Sequence, residues 1–179
     1  MKKVAVFGNT GGGKSTLSKR LSQITSLPLY VLDKIKYQSG CTEVSHQDYK
    51  HAHEQILVTD RWIIDGFGCI ETLWLRLHEA DTLVFIDLPL YVHGWWVTKR
   101  LITGYFKPPE GWPSNSPILR SSLTSYRVLW LCYKYLTPKY REYIEQVQSI
   151  KNVYHICSTK QISQFFELID DMPYSNQIF

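Results

Sequence analysis

The residues best suited to chemistry form a short glycine-rich run near the start of this 179-residue chain. The run ends in a lysine, a serine and a threonine, and it reads Gly8, Asn9, Thr10, Gly11, Gly12, Gly13, Lys14, Ser15 and Thr16. Its order, G-x-x-x-x-G-K-[ST], is that of a phosphate-binding loop, whose backbone N–H groups converge on a phosphate. Lys14 would reach the β- and γ-phosphates, and the Ser15 hydroxyl would bind Mg²⁺. The run therefore predicts a nucleoside triphosphate site with Mg²⁺ at residues 8–16.

The elements on either side of this run have the order that such a site needs. Residues 2–7 form a short apolar segment with a β-branched bias, which predicts a buried strand. Residues 16–25 place Leu17, Leu21 and Ile24 on one side of a helix. A helix that begins at the loop adds the partial positive charge of its N-terminus. The alternative is a glycine-rich turn that only joins a strand to a helix.

Three carboxylates follow predicted strands. Asp33, Asp65 and Asp87 each come directly after an apolar segment. Ligands of open α/β sheets lie outside the carboxyl ends of the strands, and a Mg–nucleotide site needs a carboxylate there. Asp after a strand is also common turn chemistry that caps the next helix. Asp65 and Asp87 are the predicted metal-site carboxylates.

The rest of the chain alternates between strand and helix patterns. We predict further strands over residues 27–32, 61–64, 83–86 and 152–156. We predict further helices over 47–59, 70–77, 89–102, 118–137, 138–149 and 160–169, with loops at 34–45 and 103–117. This alternation predicts one α/β domain over residues 1–179, a doubly wound five-stranded parallel sheet with helices on both faces. A helical insertion precedes the last strand.

The insertion is basic and aromatic. Residues 99–141 contain eight Lys or Arg and one acidic residue, Glu110. Arg120, Arg127 and Lys134 recur every seven residues and so share one face of a helix. The neighbouring predicted packing stripe contains Leu119, Leu123, Tyr126, Trp130 and Tyr133. The cations could neutralise a transferring phosphoryl group under a closed lid, form a solvated face, or contact nucleic acid together with the aromatic side chains.

Composition excludes several function classes. The net charge of +4 is mild and disfavours nucleic acid as the main partner. Four cysteines lack C-x-x-C spacing, which predicts reduced thiols and no metal cluster. The longest apolar run, residues 83–97, is too short to span a bilayer, so we expect a cytoplasmic protein that does not enter a membrane. His46, His51 and His53 are predicted surface residues, and the oligomeric state stays open.

Two strings in the middle of the chain resemble a known family. The string Ile64-Asp65-Gly66-Phe67 resembles the Asp-Gly-Phe signature of adenylate kinases and related nucleoside monophosphate kinases, and residues 85–89 resemble their strand-Asp-x-Pro segment. More closely, residues 60–66, 76–77, 80–82 and 85–89 resemble the topology modulation protein (FlaR-like) group, which is related to adenylate kinases, and this likeness covers nearly the whole chain. The resemblance implies a P-loop NTPase fold with a lid over about residues 100–137. It also implies that the third strand lies beside the first, with Asp65 at the metal-bound water and Asp87 on the opposite side.

The resemblance also implies an activity, although the sequence differs from adenylate kinases at several site positions. It assigns Asp33 to the acceptor hydroxyl and predicts an ATP-dependent kinase, with Arg100, Arg120 and Arg127 closing over the phosphoryl group. Gly68 and Cys69 stand where adenylate kinases have Pro-Arg, and Trp96 stands where they have the first lid Arg. We therefore expect a small nucleoside, nucleotide or other alcohol as acceptor, without AMP being implied. The alternative is an ATP-dependent regulatory or nucleic-acid-associated NTPase.

Overall fold

A five-stranded sheet organises the protein. The structure, a computed structural model, describes residues 1–37, 42–106 and 118–171, with the backbone alone at 104–106 and 118–123. All strand pairs are parallel, and the strand order is β2-β3-β1-β4-β5. The strands are β1 (Lys3–Gly8), β2 (Leu29–Val31), β3 (Trp62–Asp65), β4 (Thr82–Ile86) and β5 (Asn152–Ile156). The predicted five-stranded parallel sheet is confirmed, as is the position of the third strand beside the first.

Helices connect the strands. They are α1 (Lys14–Thr25), α2 (Leu32–Lys36), α3 (His46–Leu57), α4 (Ile70–Glu79), α5 (Leu90–Phe106), α6 (Ile118–Leu131), α7 (Thr137–Val147) and α8 (Thr159–Asp170). In the described part of the chain, no helix has both the length and the apolar character needed to cross a bilayer.

Both faces of the sheet are covered, because alternate residues of each strand pack on opposite sides. Val4 and Val6 of β1 lie in one cluster with side chains of α1 and α8. Ala5 and Phe7 lie in the other cluster with side chains of α3, α4 and α7. Packing of these two clusters on its two faces holds β1 in the centre of the sheet. The glycine-rich run begins where β1 ends, so it lies at the carboxyl edge of the sheet.

The predicted loop at residues 34–45 begins as a helix. β2 ends at Val31, and α2 follows at once over Leu32–Lys36, with Leu32 buried. Asp33 therefore lies in the first turn of a helix, where the helix dipole favours a carboxylate, and not at the strand end. The predicted loop at 103–117 is also shorter at its start, since α5 continues to Phe106; residues 107–117 lie outside the described residues.

The predicted long helix over 118–137 is interrupted earlier than Pro138. A π-helical segment, Cys132–Leu136, joins α6 to α7. Pro138 then lies in the first turn of α7. Backbone N–H groups in a first turn have no partner within the helix, so the N–H that proline lacks costs no hydrogen bond there. The predicted packing stripe is also partly wrong, because Trp130 and Tyr133 are 57% and 42% exposed. Leu129 and Leu136 are the buried residues among the described side chains of residues 124–136. The side chains of Leu119 and Leu123, also predicted in this stripe, lie outside the described residues.

His53 is buried, and its prediction as a surface residue is wrong. It lies on α3 in phase with Tyr49, Ile56 and Leu57, the buried residues of that helix. In the described part of the chain neither ring nitrogen of His53 has a hydrogen-bond partner. Desolvation, with a smaller contribution from Arg76, lowers the pKa of His53 to about 4. The packed, neutral imidazole is thus a source of acid sensitivity.

We expect His53→Met to reduce the loss of stability on acidification. Between pH 6.5 and 4 the unfolded chain protonates His53 while the folded protein does not, so stability falls as the pH falls through this window. The loss attributable to His53 between pH 7.5 and 4.5 is about 2 to 3 kcal/mol. Urea denaturation at both pH values measures it. The control is His51→Gln, an exposed position on α3; an equal pH dependence in both variants would contradict the assignment.

Candidate functional site

The loop at residues 8–15, here called the glycine loop, leaves β1 and enters α1. Gly8, Gly11 and Gly13 have φ angles of 131°, 66° and 74°. Such angles are unfavourable for residues with a Cβ atom, so glycine at these positions lets the backbone curl back on itself. Gly13 is the N-cap residue of α1. The loop therefore directs the N-terminus of α1 to the carboxyl edge of the sheet.

Gly8→Ala is expected to lower the free energy of unfolding by on the order of 2 to 3 kcal/mol. The added Cβ would collide with the backbone carbonyl of Ile86, which cannot move as a side chain could. Urea denaturation measures the change. The control is Gly94→Ala within α5, where a Cβ has open space and should raise stability by up to about 1 kcal/mol. Equal stabilities of the two variants would refute the packing argument.

α5 packs directly on the glycine loop. A Cβ on Gly11 would meet the backbone carbonyl of His93 and the side chain of Val97. The ring of Trp96 lies against Gly13. His93 is buried, and its Nδ1 donates to the carbonyl of Thr10 at 2.9 Å, which fixes the neutral tautomer with the proton on Nδ1. Desolvation first, and then Lys14, lower the pKa of His93. The shape of the loop thus depends on α5.

α6 contacts the glycine loop through Asn9. The buried Asn9 side chain donates from Nδ2 to the carbonyl of Leu129 at 3.0 Å, and its Oδ1 accepts from the N–H of Thr10 at 2.8 Å. A second contact joins α5 to α6, because Nη2 of Arg100 donates to the Ser125 hydroxyl at 2.9 Å. These bonds hold α6 over the loop.

Lys14 lies at the centre of the site. Its Nζ donates to the carbonyl of Asn9 at 2.7 Å. Desolvation lowers the pKa of Lys14, and Asp65 and then Asp33 act in the opposite direction. The ammonium group therefore faces two carboxylates across the loop and remains available to a further anion.

Asp65 carries a buried carboxylate that lacks hydrogen bonds within the described part of the chain. The residue is 1% exposed, and neither carboxylate oxygen has a hydrogen-bond partner among the described residues. The Ser15 hydroxyl is nonetheless near enough to lower the pKa of Asp65. Desolvation, which is larger, raises that pKa, while Lys14 lowers it. A buried carboxylate is costly unless a cation or donor satisfies it, and oxygen ligands from Asp65 and Ser15 suit Mg²⁺.

Asp33 lies on α2 and is exposed to solvent. Its charge opposes the lowering of the pKa of Lys14 by burial, so the two groups interact. Desolvation lowers the pKa of Arg100, and Asp33 opposes this shift. Gly66 lies against the same carboxylate, since a Cβ on it would be 3.4 Å from Asp33 Oδ1. The structure thus brings Asp33 and Arg100 near Lys14.

The structure does not bring every predicted site residue to the loop. Arg127 is exposed on α6 and, within the described residues, has no hydrogen bond or ion pair with the loop. The side chain of Arg120 lies outside the described residues. Asp87 accepts from Nε and Nη2 of Arg141 at 2.7 and 3.0 Å, and it lies 2.9 Å from Nε2 of His155. Its assignment to Mg²⁺ stays a prediction, but its oxygens are engaged elsewhere.

Sequence reasoning missed Arg76 as a site-supporting residue. Arg76 is fully buried on α4, and its Nη2 donates to the carbonyls of Gly66 and Phe67 at 2.6 and 3.1 Å. It thereby fixes the backbone that follows Asp65, and its charge lowers the pKa of Asp65. A signal was present, because Arg76 falls in helical phase with the buried Thr72, Leu73 and Leu77.

The site thus combines the curled glycine loop with the Lys14 ammonium group and the Ser15 hydroxyl. The buried carboxylate of Asp65 lies beside them, and the exposed carboxylate of Asp33 lies near Lys14. Oxygen donors and a cation at a helix N-terminus are suited to a polyphosphate with a divalent metal. Comparison of the chain with models of known protein families returned no match, and comparison with curated proteins returned none either.

Proposed function

We propose that the protein is a P-loop kinase that transfers the γ-phosphoryl group of Mg–ATP to a small acceptor. The observation that carries this proposal is the convergence of Lys14, Ser15 and the unsatisfied carboxylate of Asp65 at the N-terminus of α1. A glycine-rich turn that only joined two elements would not need a buried carboxylate without a partner.

The nucleotide side is built from the glycine loop. The N–H groups of residues 11–15 bind the phosphates, and Lys14 exchanges the carbonyl of Asn9 for phosphate oxygens. Ser15 and Asp65 hold the metal or its waters. When bound, Mg–ATP supplies the phosphoryl group and a cation that neutralises its oxygens. The protein then contributes mainly position and charge.

The acceptor side is built from Asp33. Its carboxylate is open to solvent and lies near Lys14 and Arg100, so it can accept a proton from an acceptor hydroxyl that approaches the transferring phosphoryl group. Arg100 lies near enough to interact with it electrostatically and is positioned by Ser125 of α6. We assign α6, with its contacts to Asn9 and Arg100, to the lid that excludes water from the transfer.

The resemblance to adenylate kinases and to the topology modulation protein group supports the same reaction. AMP is not implied as the acceptor, because no arginine occupies the place of Cys69 to clamp a monophosphate. Gly68 also packs so closely on the Tyr49 hydroxyl that a side chain there would collide with it. We therefore propose a nucleoside, a nucleotide or another small alcohol as acceptor.

Transfer of label from γ-labelled ATP to a panel of nucleosides, nucleotides and small alcohols tests this function. We expect one acceptor class to be labelled, and Asp33→Asn to lower that transfer by about 100-fold while Mg–ATP affinity stays within a few fold. Asp60→Asn, an exposed position, is the control. Mg–ATP binding without transfer to any acceptor would overturn the kinase assignment.

A second function is favoured by one observation. Exposed aromatic and basic side chains, Arg127, Trp130, Tyr133, Lys134 and Tyr135, lie together on α6 and the π-helical segment. Such a surface suits the backbone and bases of a nucleic acid, and the protein would then be an ATP-dependent regulatory NTPase. DNA binding that falls steeply with salt, together with ATP hydrolysis without transfer, would support this alternative.

A further inference from the structure

Three different metal-ligand side chains meet at the carboxyl ends of β4 and β5. They are Asp87, His155 and Cys157, and one ligand atom from each lies within 4.8 Å of the other two. Parallel pairing of the two strands places Phe85 opposite His155, and the N–H of Asp87 donates to the carbonyl of Ile156 at 2.8 Å. The backbone thus places all three residues at one edge of the sheet.

Two of these ligands are held in place. The imidazole of His155 stacks on the ring of Phe85, with centroids 5.0 Å apart and an interplanar angle of 14°. The side chain of Asp87 is 6% exposed. Cys157 is exposed just beyond β5, so a change of its χ1 rotamer can bring Sγ closer to the other two atoms. The cluster therefore needs only small movements to reach the spacing of a metal coordination sphere.

The donor set selects the class of metal. Carboxylate oxygen, imidazole nitrogen and thiolate sulfur together suit Zn²⁺ and related transition metals, whereas Mg²⁺ prefers oxygen ligands alone. Three protein ligands leave a fourth tetrahedral position to water or to another molecule. This cluster differs in chemistry from the oxygen ligands at Ser15 and Asp65.

Arg141 of α7 would compete with a metal for the Asp87 carboxylate, because it binds both oxygens of that group. The Arg141 side chain is 51% exposed, whereas that of Asp87 is 6% exposed, so the guanidinium can turn away while the carboxylate stays in place. Glu145 lies one turn further along α7 and offers a second partner at i+4. A cavity of about 360 Å³ gives the guanidinium room to turn towards it, and its lining comprises Arg141, Ile144, Glu145, Gln148, Val153 and His155.

We propose that Asp87, His155 and Cys157 form a binding site for a divalent transition metal such as Zn²⁺, which binds in exchange for Arg141. The exchange replaces one cation by another on the Asp87 carboxylate. It also releases the two hydrogen bonds by which Arg141 of α7 holds the Asp87 carboxylate at the end of β4.

Co²⁺ titration of the reduced, full-length protein tests the site. We expect tetrahedral d–d absorption with a thiolate-to-metal charge-transfer band, and Zn²⁺ should displace Co²⁺ while excess Mg²⁺ should not. Cys157→Ser should remove the charge-transfer band and weaken Zn²⁺ binding at least about 10-fold. His155→Gln is a second ligand variant with the same expected weakening. Cys69→Ser, at a half-buried position just before α4, is the matched control. It should leave the charge-transfer band and the Zn²⁺ affinity unchanged.

Arg141→Gln tests the exchange itself. Removal of the competing cation should tighten Zn²⁺ binding by about 10-fold, since the bidentate pair no longer has to be broken. Unchanged or weaker affinity in Arg141→Gln would overturn the exchange. Co²⁺ binding without a charge-transfer band, or equal Zn²⁺ affinities of Cys157→Ser and the wild type, would overturn the site. Neither result bears on the kinase proposal, because that proposal rests on Lys14, Ser15, Asp65 and Asp33 and not on Asp87.

Discussion

Lys14→Ala is expected to weaken Mg–ATP binding and to lower kcat/KM for phosphoryl transfer by about 100-fold or more. Lys14 lies at the start of α1, where Asp65 and Asp33 interact with its ammonium group. Among the described residues, its Nζ donates only to the backbone carbonyl of Asn9, which a phosphate oxygen can replace. Alanine leaves the loop without a charge to hold the transferring group. Calorimetric titration with a Mg–ATP analogue and a labelled-transfer assay measure the two effects.

The control for this variant is Lys160→Ala. Lys160 is an exposed lysine on α8, and its removal changes the net charge equally. Its affinity and transfer rate should match those of the wild type. Undiminished Mg–ATP affinity in Lys14→Ala, with an unchanged thermal melt, would contradict the assignment of the glycine loop to phosphate binding.

Asp65→Asn is expected to abolish Mg²⁺-dependent transfer while stabilising the protein without ligand. The buried carboxylate has no hydrogen-bond partner in the described part of the chain, and desolvation raises its pKa. Asparagine removes the cost of ionisation and should raise the free energy of unfolding by on the order of 1 kcal/mol at pH 8. It also removes the main metal-holding charge, so kcat/KM should fall by about 100-fold or more.

The pH dependence distinguishes the two effects of Asp65→Asn. Because the pKa of Asp65 is raised in the folded state, the wild type gains stability relative to Asp65→Asn as the pH falls through the raised pKa towards 3.8. Urea denaturation of both proteins across that range measures the difference. A lower stability of Asp65→Asn at pH 8, or retained activity with Mg²⁺, would show that this carboxylate has another role.

The strands could be predicted from the sequence because their signal is local. β4 is buried at every position and β3 likewise, so each appears as an unbroken apolar run between polar residues. The positions of Asp65 and Lys14 on one edge of the sheet follow from parallel pairing and strand order alone. The part of the site that depends on connectivity was therefore predictable.

The remaining features depend on contacts between distant residues or on helical phase. Asp87 is engaged by Arg141, 54 residues away, and by His155, 68 residues away, and no local pattern pairs them. His53 and Arg76 are polar side chains on buried helical stripes. The prediction for His53 followed its residue type and not its position on the buried side of α3. The contact of Asn9 with Leu129 likewise joins residues 120 positions apart.

Backbone amide chemical shifts of the ¹⁵N-labelled protein, followed during titration with a non-hydrolysable Mg–ATP analogue, test the central claim most directly. The account predicts that the largest shifts fall on the amides of residues 11–15, because these N–H groups bind the phosphates, and that Lys14→Ala removes them. Saturable binding that leaves these amides unshifted, with the changes elsewhere in the chain, would contradict it.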